Sequence, residues 1–191
     1  PDVTLYGPLL VLAGGLVLTA ERRFAEVLGE EDERGPSFLG YAAILLGLLF
    51  SAAGPEARVV TFLLGGVVWL AATRTRRAPI HAHLGLALAA LGVAAVGLLD
   101  AFPRPLIAVL GIVVALGLEL VARVAGGRGD RRLRNAAVDL EGAALLLTPF
   151  VAVLAQWHFH SEPWVTALEL GVVAALFAMR ASVDERPRAA F

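Results

Sequence analysis

The chain contains no cysteine and no lysine, and only 17% of its 191 residues carry charge. The missing cysteines exclude disulfides, thiolate metal sites and cysteine nucleophiles together. The missing lysines exclude any lysine Schiff base, so retinal cannot be held covalently. There is no P-loop, no HExxH and no GxSxG, and the serines Ser37, Ser51 and Ser161 stand apart from any histidine that would activate them. None of the four histidines lies deep within an apolar run, His83 being at the very edge of one, so axial ligation of a haem between helices is not expected. No cofactor is expected, and a formal net charge of −1 makes nucleic acid a poor partner.

What the chain does have is apolar surface. Its hydrophobic share is 58%, against about 45–50% in an ordinary soluble domain. The charges are bunched into connectors, leaving long uncharged stretches between them. A bilayer core needs about 20 apolar residues of helix, with ~17 as a working minimum. Seven segments qualify: 3–20, 37–54, 58–73, 82–100, 104–122, 138–156 and 164–180. Their runs are continuous rather than alternating and rich in Ala, Leu and Gly, which predicts helices and not a β-barrel. The expected fold is an all-α membrane protein, a single polytopic transmembrane domain over 1–191. The first run lacks the basic flank and small-residue cleavage site of a signal peptide and reads as a retained span.

All sixteen basic residues are arginine, and fourteen of them fall on one side of this layout. Only Arg58 and Arg104 fall on the other. Positively charged loops stay in the cytoplasm, so the N-terminus is expected outside and the C-terminus inside. The outer connectors are tight and proline-bearing, Gly54–Ala57, Asp100–Pro105 and Trp157–Pro163, which predicts hairpins from spans 2–3, 4–5 and 6–7 preceded by a lone first helix. Arginine without lysine points to a GC-rich prokaryotic genome and hence to a plasma (inner) membrane.

Residues 39–71 laid on 84–116 share Leu39/Leu84, Gly40/Gly85, Ala42/Ala87, Leu46/Leu91, Gly47/Gly92, Gly66/Gly111 and Val68/Val113. In strings this rich in Ala, Leu, Gly and Val, chance gives roughly four or five matches, so the pattern only hints at duplicated hairpins. Helices in lipid associate through close approach of small residues, which assigns Gly14, Gly15, Gly65, Gly66, Gly92, Gly111-xxx-Ala115 and Gly171-xxx-Ala175 to packing. Trp157, Trp164 and Phe102 suit the outer interfacial belt. No aromatic cage or stack is evident.

An ionisable group at membrane depth is the default place to look for function. Glu169 is the sharpest candidate, about six residues and roughly 9 Å inside the last span, with Thr166 one turn above. Glu119 precedes Arg123 by four residues, the favourable order for a helical ion pair. Asp139 and Glu141 are expected to open span 6, where negative charge suits the helix dipole. Glu169, Glu119 and Glu141 together form the candidate site for an intramembrane proton, cation or pairing interaction. Thr148 and Pro149 could loosen span 6 and free a carbonyl. Outside the bilayer, His158, His160 and Glu162 would face one way in an extended segment, a weak metal candidate. Arg128, Arg131, Arg132 and Arg134 are placed to meet anionic lipid headgroups on the cytoplasmic side. Residues 21–33 read as a short acidic amphipathic helix.

These features favour a non-catalytic accessory or scaffolding subunit of a membrane assembly, with the bilayer and possible other membrane subunits as partners. The alternative is a small transporter or channel for a proton, a cation or an apolar molecule using Glu169. An intramembrane enzyme or seven-helix sensor stands third.

Overall fold

In a computed structural model of the chain, residues 3–20, 34–75, 79–159 and 162–184 are described. Among them are seven α-helices and no strand: α1 Tyr6–Thr19, α2 Arg34–Phe50, α3 Pro55–Thr75, α4 Ile80–Ala95, α5 Ile107–Gly127, α6 Arg131–Phe159 and α7 Pro163–Asp184. Five stretches are long and apolar enough to cross a membrane: Pro55–Thr73, Ile80–Leu98, Arg104–Gly127, Arg131–His158 and Pro163–Arg180. The first two helices are shorter apolar pieces. Proline occupies the first helical position of α3 and α7, where its missing N–H costs nothing. Residues 21–33, where an amphipathic helix is expected, lie outside the described residues.

One boundary changes the chemistry. Hydropathy alone starts span 6 near residue 138, but α6 begins at Arg131, after a turn in which Gly129 takes φ 73°. The Leu133 backbone N–H donates to Asp130 Oδ1 at 3.2 Å, so Asp130 is the cap. Asp139 and Glu141 are therefore two or more turns inside α6, and the expectation that they open the helix is corrected.

The packing also differs from the expected lone helix plus three pairs. The closest partners are α1 with α2, α3 with α4, and α5 with α6, leaving α7 against α6 and, to a lesser extent, α5. The short proline-bearing turns between α2 and α3 and between α4 and α5 hold helix ends together without pressing helix faces together. Small side chains decide which faces meet. A methyl at Gly14 would lie 2.6 Å from the Gly40 carbonyl oxygen, and one at Gly66 would lie 3.0 Å from the Gly85 carbonyl oxygen.

Those two contacts are equivalent, and they continue. Gly40 faces Leu18 as Gly85 faces Leu70, Gly47 faces Val11 as Gly92 faces Leu63, and Gly14 meets Ile44 as Gly66 meets Ala89. The second helices of the two pairs thus superpose at the 45-residue shift seen in the sequence, while the first helices superpose at 52. In the third pair Gly111, the counterpart of Gly66, packs on Thr148 of α6. Tandem hairpins built on one glycine pattern therefore account for α1 to α4, the third pair keeps only Gly111 of it, and α7 is the remainder.

Three apolar clusters tie the pairs together. Val11, Leu18, Ile44, Val68, Trp69 and Leu88 join the first two hairpins. Leu86 meets Leu118, Ala136 and Ala137 to join the second to the third. Ile112, Ala115, Leu145 and Val173 join α7 to α5 and α6. Outside them, Leu16, Leu49, Leu120, Phe150 and Leu168 are exposed, a surface suited to lipid.

Candidate intramembrane carboxylate site

The inner face of α7 carries Thr166, Glu169 and Val173, all buried, at the three- and four-residue spacings that align side chains on one side of a helix. Glu169 is 3% exposed, and neither carboxyl oxygen has a hydrogen-bond partner among the described residues. An unpartnered polar group of this kind costs free energy wherever it is kept from water. Protein and lipid are equally poor solvents for it.

Eleven residues further along α7, roughly 16 Å at helical rise, the arrangement is the opposite. Arg180 Nη1 lies 3.6 Å from Glu141 Oε2, and its Nη2 donates to the Val138 carbonyl at 3.2 Å. Glu141 is 6% exposed, and Glu119 stands close to it. The Arg123 Nε donates in turn to Glu119. Two acids and two arginines from α5, α6 and α7 thus converge, and their formal charges cancel.

The two regions do not communicate through polar groups. Val173, Leu145, Ile112 and Ala115 close the seam between them. Thr148, 2% exposed, donates its hydroxyl to the Ala144 carbonyl at 2.8 Å. Pro149 has no N–H to offer the Leu145 carbonyl, yet α6 runs through it. The structure brings Glu119 and Glu141 together and leaves Glu169 apart.

The sequence reading missed one polar cluster. Tyr41 stacks on Trp69 with ring centroids 5.4 Å apart, Trp69 lies 5.3 Å from the His81 ring, and the Tyr41 hydroxyl is 2.9 Å from His81 Nε2. This corrects the expectation of no aromatic stack. Its signal was depth: Tyr41 is one to two turns into α2, Trp69 is near the end of α3, and His81 begins α4, so antiparallel helices bring all three to one level. Nearby, His83 Nε2 lies 3.2 Å from Asp139 Oδ2, joining α4 to α6. Asp139 therefore has a partner on another helix.

The remaining candidates are at the two ends of the helix bundle. Arg128, Arg131, Arg132 and Arg134 are exposed at the α5–α6 turn. A hollow of about 380 Å³ there is lined by Thr73, Ala82, Gly129, Asp130, Arg131, Arg132 and Leu133. At the opposite end His158 and Glu162 are exposed, whereas His160 lies outside the described residues. Among the described residues no group of three or more metal-binding side chains converges.

The fold and site together define a class: among the described residues the chain is helical, with five helices long and apolar enough to cross a membrane. No protein-family model, no curated protein and no solved structure matches it.

Proposed function

We propose that this is a seven-span prokaryotic plasma-membrane protein, N-terminus outside, that carries a proton or small cation on Glu169. The observation that carries this reading is the contrast within α7: Arg180 is compensated by Glu141, whereas the Glu169 carboxyl is buried without a hydrogen-bond partner among the described residues. A structural acid would be expected to find a donor. A group that must accept and release a charged species is instead kept uncommitted. This moves the balance from the accessory subunit to the transport alternative. The arginine-lined hollow at the inner surface is the expected seat of anionic headgroups.

The test is flux in liposomes holding the purified protein under an imposed pH or cation gradient. The expected result is dissipation by the wild type and at least a tenfold loss in Glu169→Gln, with Glu56→Gln, an exposed acid at the start of α3, unaffected. Equal rates for Glu169→Gln and wild type would remove the reading.

One observation keeps the accessory-subunit reading as second. The face of α7 opposite Glu169 is open, with Leu168 63% exposed and nothing within 4 Å of the position a Gly171 side chain would take. Stoichiometric subunits that stay bound through gentle extraction and size-exclusion chromatography would favour it.

A further inference from the structure

The seam around Glu169 narrows what the group takes up, an inference that rests on reading Glu169 as the exchanging residue. Counting back eleven residues in each antiparallel helix from the Arg180–Glu141 contact puts Glu169 opposite Ala152 of α6, which is 1% exposed. The Gly111–Thr148 contact puts Ala108 of α5, 0% exposed, at the same level. Both are methyl groups. Helical carbonyls at this level are engaged in the helices' own hydrogen bonds.

A metal cation sheds its hydration shell only where protein oxygens replace it, and hard cations take about six. Within one turn of Glu169 the described side chains offer its own two oxygens and the Thr166 hydroxyl. Thr148 lies about a turn further in. The charged groups on the packed helices are distant: Glu119 and Arg123 on α5 and Glu141 on α6 belong to the inner cluster with Arg180. His158 and Glu162 are exposed at the outer end. Among the described residues, no fixed positive charge balances a carboxylate here, and too few oxygens surround a metal.

We infer that Glu169 is a proton site and not a metal-ion site. One carboxylate oxygen forms an O–H bond with a proton delivered by hydronium, releasing water, and the neutral acid is what the apolar seam accommodates. Release reverses the step when α7 separates enough for water to reach the carboxyl. Because α7 lies outside the three helix pairs, this separation leaves the glycine contacts of the first two pairs and the Gly111–Thr148 contact of the third in place.

The experiment is labelling of the purified wild-type protein by dicyclohexylcarbodiimide, an apolar reagent that attacks protonated carboxyls in lipid, with the modified peptide mapped by mass spectrometry. The expected result is modification at Glu169 that falls about tenfold per pH unit above the site's midpoint. It should be unaltered by excess Na⁺ or K⁺ and retained in Glu119→Gln. Protection by Na⁺ or K⁺ at constant pH overturns the inference in favour of a metal ion, as does absence of label on Glu169 at every pH. Labelling is read on the unmutated chain, so it does not depend on how a variant folds. Intact labelling with unchanged flux in Glu169→Gln overturns the transport reading alone. Cation protection with lost flux overturns this inference alone.

Discussion

The helices α1 to α4 and the helices α5 to α7 are built from similar amino acids and put them to different uses. In the first group, glycines at matched positions let backbones touch, and the polar residues that are buried find partners: Thr61 donates to the Ala57 carbonyl, and His81 contacts Tyr41. In the second group, three of the intramembrane acids sit on three helices, and α7 is held mainly by one apolar cluster and one arginine. The glycine-zipped half is organised for rigidity. The other half keeps a charge-bearing helix only partly engaged, and low local engagement is where moving elements are found.

That contrast can be probed at five positions, with Gly171 the control for Gly85 and the other four in decreasing order of effect. Gly85→Leu would drive a side chain into Leu70, whose backbone nitrogen is already 2.9 Å from the position of a first carbon. A loss of about 3 kcal/mol is expected from overpacking, read by reversible unfolding in detergent and bicelles. Gly171→Leu, on the open face of α7, should be neutral within about 0.5 kcal/mol in the same assay. Equal effects at both sites would mean that α7 packs as tightly as the hairpins. Arg180→Ala strands Glu141; its side chain is 28% exposed, so the expected cost is about 2 kcal/mol, below that of a fully buried pair. Adding Glu141→Gln should restore part of it. Glu169→Met removes an unsatisfied carboxyl and should raise stability by about 1 kcal/mol while abolishing flux. A drop in its melting temperature would show that the acid has a structural partner. Smallest is Tyr41→Phe, which loses one hydrogen bond to His81, for less than about 1 kcal/mol, with the indole fluorescence of Trp69 reporting the altered stack.

How far the sequence could be read follows from which interactions are local. Seven apolar runs were visible because lipid requires each span to satisfy its own backbone, and the runs fall on the seven helices with shifts of a few residues at the ends. The largest shift, at α6, arose because Asp130 caps a polar turn that hydropathy does not score. Pairing was misread because the tight outer turns were taken as the deciding constraint, when Gly14, Gly40, Gly66 and Gly85 decide it by contact. The 45-residue repeat looked thin because the first helices of the two hairpins follow a different shift from the second. Of the carboxylates, Glu169 could be singled out from its depth alone. The Glu119–Glu141–Arg180 convergence could not, since it joins residues from three helices whose relative rotation no single helix encodes.

The hairpin pairing also has a meaning in time. A chain is made from its N-terminus, and its units fold in that order. In the first two hairpins each zipper joins two segments that leave the ribosome one after the other, so it closes without waiting for distant sequence. α7 has no such mate and docks on a third hairpin already in place. Glu169 is therefore carried on the last of the described helices to be made, delivered to a finished platform.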